Sequence, residues 1–218
     1  GLSSSSDTFT SGAIDSTTAG VTITASDTGS ATNVITLAGL DSTDQAVTLE
    51  SGGGEIDLNG AVTATSGGTT LVIRGTGVGV ELGIGSGATD GNTTVTLDDT
   101  SVGNIGSGFS GGITFGRTGQ SAGIEFDGAS NSFDEAVEVI ADGGATVTIG
   151  AAVDTIEGGA TGKNLTVTGS GTTDVALGGN VSTDGGTVEI TGGGTVTVDA
   201  TAPSTPTIDT HSSTGTPG

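Results

Sequence analysis

The side chains of this chain that could do chemistry are mainly carboxylates. Asp57, Glu81 and Glu125 each stand between two apolar residues of a short triplet, and a pair of carboxylates is the usual machinery of glycoside hydrolysis. Such sites also tend to contain aromatic platforms and basic residues. The chain has no Trp or Tyr, and its only Lys and Arg residues are Arg74, Arg117 and Lys163. The composition therefore predicts that the chain is not an enzyme, and an enzyme that acts on polysaccharides is the less favoured alternative.

Thiol, imidazole and metal chemistry have few candidates. The chain has no Cys, which excludes thiolate catalysis, disulfides and Cys-based metal sites, and it has a single His, His211. Calcium prefers clustered oxygen ligands, but the repeat Gly-Gly-x-Gly-x-Asp does not occur and Asp98-Asp99 is an isolated acidic pair. We predict no catalytic, cofactor-binding or metal-binding residue, and we favour a solvated acidic surface over weakly bound Ca²⁺. Arg74 and Arg117 are predicted to pair with surface carboxylates.

The charge of the chain excludes further classes of protein. There are 25 Asp and Glu against 3 Lys and Arg, a formal net charge of −22, whereas a nucleic-acid-binding protein needs a basic surface. No apolar run approaches the ~20 residues of a membrane-spanning helix, so membrane insertion is not expected. Because the sequence contains no Met, we expect it to be a processed segment of a longer translation product.

Short apolar–x–apolar triplets recur along the chain. Alternation with a period of two is typical of half-buried β-strands, and Gly-Gly, Asp-Gly and Asn-Gly pairs supply the turns between them. The leading triplet of each unit follows the previous one after 18 to 28 residues, about 24 on average. These triplets begin at Val21, Val47, Leu71, Val95, Ile113, Val137, Leu165 and Val188.

Most leading triplets are followed by a second one, and three units add a short third element that begins at Val62, Val153 or Val181. Such a unit cannot bury its own apolar face, so successive units must stack. We predict an all-β, single-stranded β-solenoid, or parallel β-helix, of about eight turns of ~24 residues. Right-handed coiling is favoured, and an antiparallel sandwich is the alternative. Residues 1–20 are predicted to be a cap or linker, 21–198 the solenoid, and 199–218 a Pro/Ser/Thr-rich tail or linker.

Stacking predicts which side chains line the interior. One interior column is predicted to contain Val21, Ile23, Val47, Leu49, Leu71, Ile73, Val95, Leu97, Ile113, Phe115, Val137, Val139, Leu165, Val167, Val188 and Ile190. The facing column is predicted to contain Ile35, Leu37, Ile56, Leu58, Val80, Leu82, Ile124, Phe126, Val147, Ile149, Val175, Leu177, Val196 and Val198. In particular, Val47, Leu71 and Val95 should lie directly above one another, and Asp57 and Glu81 should lie on adjacent turns.

Two stretches carry a resemblance to a known family. Residues 53–65 read Gly-Gly-Glu-Ile-Asp-Leu-Asn-Gly-Ala-Val-Thr-Ala-Thr, and residues 185–190 read Gly-Gly-Thr-Val-Glu-Ile. They resemble the β-helical shaft of large bacterial secreted adhesins of the filamentous haemagglutinin and autotransporter passenger type. The tail from Val198 to Asp209 resembles the start of a bacterial immunoglobulin-like repeat. The resemblance implies secretion, display on the bacterial cell surface and attachment, but it transfers no binding residue.

The expected function is therefore a non-enzymatic, extracellular, structural or adhesive rod that mediates attachment or matrix formation. Its partners would be a host, matrix or neighbouring-cell surface. A solenoid has two open ends with unpaired backbone groups, which can pair with another chain. The alternative function is consequently a self-assembling subunit of an extracellular filament or surface layer, joined end to end as a homopolymer.

Overall fold

The computed structural model describes residues 2–4, 8–25, 34–65, 69–85, 94–128, 131–150, 153–154, 163–198 and 206–210. Within these residues the chain forms parallel β-strands and a single five-residue helix, Asp99–Gly103. Every pair of neighbouring strands is parallel. The fold is thus the predicted β-solenoid, and the antiparallel sandwich is excluded.

The first sheet has eight strands, stacked in the order of the sequence. They are Leu2–Ser4, Val21–Ala25, Val47–Ser51, Leu71–Gly75, Ile113–Gly116, Val137–Ala141, Leu165–Gly169 and Val188–Thr191. The second sheet has nine strands, in which one strand is out of sequence order. In spatial order they are Thr8–Ser11, Val34–Leu37, Gly54–Leu58, Thr94–Leu97, Glu81–Ile84, Ile124–Phe126, Thr146–Ile149, Asp174–Leu177 and Val196–Val198.

The third face consists of two short stacks. The first contains Ile14–Ser16, Leu40–Thr43 and Val62–Thr65, and the second contains Asn131–Ser132, Val153–Asp154, Val181–Ser182 and Ile208–Asp209. An isolated parallel bridge joins Val62 to Ile105. The short third elements predicted at Val62, Val153 and Val181 are therefore confirmed as strands.

The two-residue alternation of the sequence decides which side chains point inward. In the strand Val47–Ser51 the first, third and fifth residues are buried, whereas the second and fourth are half-buried. Val47 lies opposite Leu71 and Leu49 opposite Ile73, so the aliphatic side chains stack from turn to turn. Each such buried side chain contributes about 1.5–3 kcal/mol to folding.

The prediction for Val95 and Leu97 is wrong. The strand Thr94–Leu97 belongs to the second sheet, where it lies between Gly54–Leu58 and Glu81–Ile84. In the first sheet the neighbour of Leu71 is Ile113, 42 residues further on. Residues 94–112 are therefore an insertion into one turn, which we call the inserted segment, and not a turn of their own. Both Val95 and Leu97 are nevertheless fully buried.

The prediction for Val80 is wrong as well. Leu82 lies opposite Ile124, and Ile84 opposite Phe126, so the buried pair of this strand is Leu82 and Ile84 and the register is two residues later than predicted. Val80 is half-buried at the edge of the core. The triplet Val80-Glu81-Leu82 and the sequence Leu82-Gly83-Ile84 alternate equally well, so only the stacking partners distinguish them.

The solenoid has about six complete turns, fewer than the eight predicted. Six strands of the first sheet are paired on both sides, and Leu2–Ser4 and Val188–Thr191 form its two edges. The strands Leu2–Ser4 and Ile208–Asp209 pair in the same sheets as strands of the body. Val188 and Ile190 are half-buried, and Val196 and Val198 are each 51% exposed, because no further strand of the described residues pairs beyond theirs.

The helix Asp99–Gly103 lies within the inserted segment and contacts the strand Gly54–Leu58. The Asp98 carboxylate accepts a hydrogen bond from the Ser101 N–H at 2.7 Å and caps the helix. The Ser101 Oγ accepts one from Leu58 N–H at 3.0 Å, and the Asn104 Nδ2 donates to the Leu58 carbonyl at 2.6 Å. Ser101 of the helix and Asn104 just after it thus satisfy the N–H and the carbonyl of Leu58, the last residue of the strand Gly54–Leu58.

We expect Asp98→Ala to lower the free energy of unfolding by about 1 kcal/mol, because the first turn of the helix loses its capping acceptor. Asp98→Asn retains an acceptor oxygen at the same position and is the matched control. Chemical denaturation followed by far-ultraviolet circular dichroism measures both. Equal losses in the two variants would show that the carboxylate charge, and not the cap, stabilises this segment.

Candidate functional site

A groove lined largely by polar side chains lies on the outer face of the second sheet. It has a volume of about 200 Å³, and Glu81, Gly83, Thr94, Gly123, Glu125 and Thr146 contribute to its lining. Thr94 belongs to the inserted strand, whereas the other residues belong to the strands Glu81–Ile84 and Ile124–Phe126 and their neighbours. The inserted strand thus contributes Thr94 to one wall of the groove.

The groove forms where two outward-facing positions, Gly83 and Gly123, carry no side chain. Gly83 lies opposite Glu125, and Glu81 lies opposite Gly123 because the adjacent Leu82 pairs with Ile124. Two glutamates and two glycines thus alternate at the four positions, with the glutamates diagonally opposed. A strand spacing of about 4.8 Å and a two-residue rise of about 6.6 Å place the Cα atoms of Glu81 and Glu125 about 8 Å apart. The floor is backbone, and the groove is one side chain deep.

A threonine hydroxyl contacts one of the two carboxylates. The Thr94 Oγ1 donates a hydrogen bond to the Glu81 Oε2 at 3.1 Å, and Thr94 itself is 5% exposed. Carboxylate and hydroxyl oxygens can accept hydrogen bonds from the hydroxyl or ammonium groups of a ligand. Glu81 is exposed and Glu125 is half-buried, and both contribute to the lining of one open groove.

Of the three carboxylates that sequence analysis singles out, the structure brings two together. Asp57 is predicted to lie next to Glu81, and this is wrong because the strand Thr94–Leu97 separates them. Asp57 pairs instead with Thr36 across the strands and accepts a hydrogen bond from the Asn59 Nδ2 at 3.1 Å. The inserted strand therefore keeps the Asp57 and Glu81 carboxylates from being neighbours.

The basic side chains have structural partners. The Arg74 Nε lies 2.5 Å from the Glu50 Oε1, as predicted for a pair with a carboxylate, and the Lys163 Nζ lies 3.6 Å from the Glu135 Oε2. Arg117 differs from its prediction. Its Nη1 donates to the carbonyl oxygens of Gly75 and Thr76 at 3.1 and 2.9 Å, and within the described residues it has no ion pair. Arg117 thus holds a corner of the turn that precedes the inserted segment.

Three side chains accept hydrogen bonds from the backbone of the next turn, which the sequence did not indicate; we call these contacts side-chain clamps. The Asn164 Oδ1 accepts a hydrogen bond from Thr187 N–H at 2.9 Å, the Asp174 Oδ1 from Thr195 N–H at 2.7 Å, and the Asn180 Oδ1 from Thr207 N–H at 3.0 Å. Each clamp joins a corner to the next turn. An Asn or Asp at or just before the start of a strand is the signal that could have identified them.

Side chains that could hold a metal ion do not cluster in the part of the chain that the structure describes. No group of three or more His, Cys, Asp and Glu side chains gathers within the described ranges. Asp98, one of the isolated acidic pair, is occupied as a helix cap, and His211 lies outside the described residues. None of the helices in the described part has the length and apolar character needed to cross a membrane.

Comparisons with known proteins give no relative for this chain. No family model, no curated protein and no solved structure matches it.

Proposed function

We propose that the chain is a non-enzymatic structural rod of an extracellular bacterial surface protein, an adhesin or fibre that mediates attachment or matrix formation. The observation that supports this proposal is the unbroken stack of buried apolar side chains in the first sheet, from Val21–Ala25 to Leu165–Gly169. Such a stack makes a stiff, extended body in which each turn contacts only its neighbours. Rigid spacing of this kind suits a protein that holds a contact surface away from the cell.

The outer face of the first sheet is the surface we assign to contact. Between Val21 and Thr191, the charged side chains on that face are three Glu and one Arg, a net charge of −2 out of −22. Thr predominates at the other outward positions, including Thr22, Thr48, Thr114 and Thr166. This flat and nearly neutral face, which we call the threonine face, meets the least repulsion when the acidic rod approaches another surface.

Adsorption of the labelled chain to immobilised polysaccharide and to immobilised collagen tests the proposal. We expect binding that the double variant Thr48→Glu/Thr114→Glu weakens about tenfold, because it places two carboxylates on the threonine face. The matched control is Thr36→Glu/Thr148→Glu, which adds the same charge to the outer face of the second sheet. No adsorption to either surface, or an equal loss in both variants, would contradict the proposal.

A second candidate is a filament subunit, and the exposed C-terminal end of the solenoid favours it. Val196, Val198 and Ile208 lie on terminal strands and are 51%, 51% and 52% exposed. A head-to-tail contact at such an edge generates an open filament. Sedimentation at neutral pH over a range of concentrations distinguishes the candidates, since a rod segment stays monomeric. A polymer that Val196→Lys abolishes, and Val78→Lys does not, would establish the filament instead.

The enzyme alternative is tested at the groove. We expect no depolymerisation of acidic or neutral glycans by the purified chain. Activity that disappears in both Glu81→Gln and Glu125→Gln, and persists in Asp57→Asn, would show that the two groove carboxylates form an active site. Asp57→Asn is the matched control because the inserted strand separates it from the groove.

A further inference from the structure

We propose that Asn59 and Gly60 form a site of spontaneous deamidation, at which the folded chain modifies its own backbone. The pair is the only Asn-Gly in the sequence. It lies at the corner between the strands Gly54–Leu58 and Val62–Thr65, and Asn59 is exposed. A glycine after the asparagine presents no side chain to obstruct the reaction and gives the backbone its widest freedom.

The reaction needs only water. The Gly60 backbone nitrogen attacks the Asn59 Cγ, a nitrogen–carbon bond forms, and the Cγ–Nδ2 bond breaks. The proton of the Gly60 nitrogen leaves with the side-chain nitrogen as ammonia, and the product is a five-membered succinimide. Water then opens the ring at either carbonyl, which gives aspartate or its isomer with the backbone routed through the side chain. No oxidant or reductant is involved.

The hydrogen bonding of the corner separates Asn59 from the other asparagines. The attacking nitrogen must be free, and no group of the described residues accepts a hydrogen bond from the Gly60 N–H. By contrast, the residue after Asn104, Asn164 or Asn180 donates its N–H to a carbonyl at 3.0, 2.9 or 2.9 Å. Asn131 is fully buried. Among the asparagines that the structure describes, only Asn59 combines exposure with an unengaged following nitrogen.

The product does not fit this corner as well as the original chain does. Asn59 donates from its Nδ2 to the Asp57 carboxylate, and a new carboxylate cannot donate and repels Asp57 instead. The isomerised backbone is one carbon longer at this point. Gly60 is packed so closely that a Cβ there would overlap the Ala38 carbonyl oxygen, so a shift of Gly60 by the longer main-chain path would disturb its packing against Ala38. We therefore expect modification to loosen the stacking of the strands that this corner joins.

Incubation of the full chain at mildly alkaline pH, with peptide mapping by mass spectrometry at intervals, tests the proposal. We expect Asn59 to convert about tenfold faster than Asn164 or Asn180, because only its neighbour lacks a Cβ. Site-resolved mapping separates this change from isomerisation at the Asp-Gly pairs. Asn59→Gln should abolish the conversion and leave the circular dichroism spectrum unchanged.

A parallel incubation in urea completes the test. If Asn59 converts in the native chain, as it does in urea, the corner is open to the reaction and the proposal stands. If Asn59 stays intact in the native chain and converts only in urea, the fold protects it and the proposal is wrong. Faster conversion at Asn164 or Asn180 in the native chain would equally overturn it.

Discussion

Phe115→Ala is expected to lower the free energy of unfolding by about 3–5 kcal/mol. Phe115 is fully buried, and its ring lies 5.4 Å from that of Phe126 at 88° and 5.5 Å from that of Phe133 at 58°. The truncation removes apolar burial and two aromatic contacts and leaves a cavity in the turn above the inserted segment. Urea denaturation followed by far-ultraviolet circular dichroism measures the loss.

Phe9→Ala is the control for this prediction. Phe9 lies in the strand Thr8–Ser11 of the first turn and is only half-buried against the core, so its truncation leaves a space that water can fill. We expect a clearly smaller loss than for Phe115→Ala. Comparable losses in the two variants would contradict the prediction, because they would show that full burial and the ring contacts with Phe126 and Phe133 add nothing to stability.

Gly108→Ala should destabilise the chain by more than about 2 kcal/mol, because two independent costs add. Gly108 has φ of +101°, a region that L side chains rarely adopt, and a Cβ there would overlap the Ala64 carbonyl oxygen. Its N–H also donates to the buried Glu135 Oε1 at 2.8 Å. The substitution would push the inserted segment away from the third face. Circular dichroism and denaturant unfolding measure the effect.

Gly103→Ala is the matched control, since Gly103 lies in the same inserted segment within the helix and a methyl group there would meet only open space. Helix propensity predicts that this change raises the free energy of unfolding by up to about 1 kcal/mol. A further variant, Gly108→Asn, tolerates positive φ better than alanine does. If Gly108→Asn restored full stability, backbone conformation alone would explain the effect, and the argument from the Ala64 contact would fail.

The groove shows which features of the site the residue pattern predicts and which it does not. Sequence analysis singles out Glu81 and Glu125 because each stands between apolar residues, and the structure places both on the outer face of the second sheet. It also groups Asp57 with them, and that is wrong. The pattern shows that a residue points outward, but it does not show which outward residues are neighbours. Neighbours depend on the order of strands in the sheet, and this order is broken at Thr94–Leu97.

The helix and the side-chain clamps show a second reason why the sequence does not predict every contact. In the sequence Asp98 is recognisable only as one half of an acidic pair. Its role as a helix cap is not evident, because the helix that it caps has five residues, too few to show a helical period. Likewise, the bond from Asn164 to Thr187 joins residues 23 positions apart. Such contacts become visible only when the turns are stacked, because their partners have no local relation in the sequence.

The fold class, the parallel stacking and most of the buried columns follow from the residue pattern alone, because a period of two within a period of about 24 leaves few ways to bury the aliphatic side chains. The position of the strand Thr94–Leu97, the register of Leu82 and Ile84, and with them the lining of the groove depend on how the turns pack in three dimensions. The triplet at Val95 alternates like any leading triplet and fits either sheet equally well. Its place in the second sheet is stabilised by contacts of the inserted segment. Ser101 and Asn104 satisfy the backbone of Leu58, and Ile105 forms a bridge with Val62 on the third face. Both Val95 and Leu97 are removed from water.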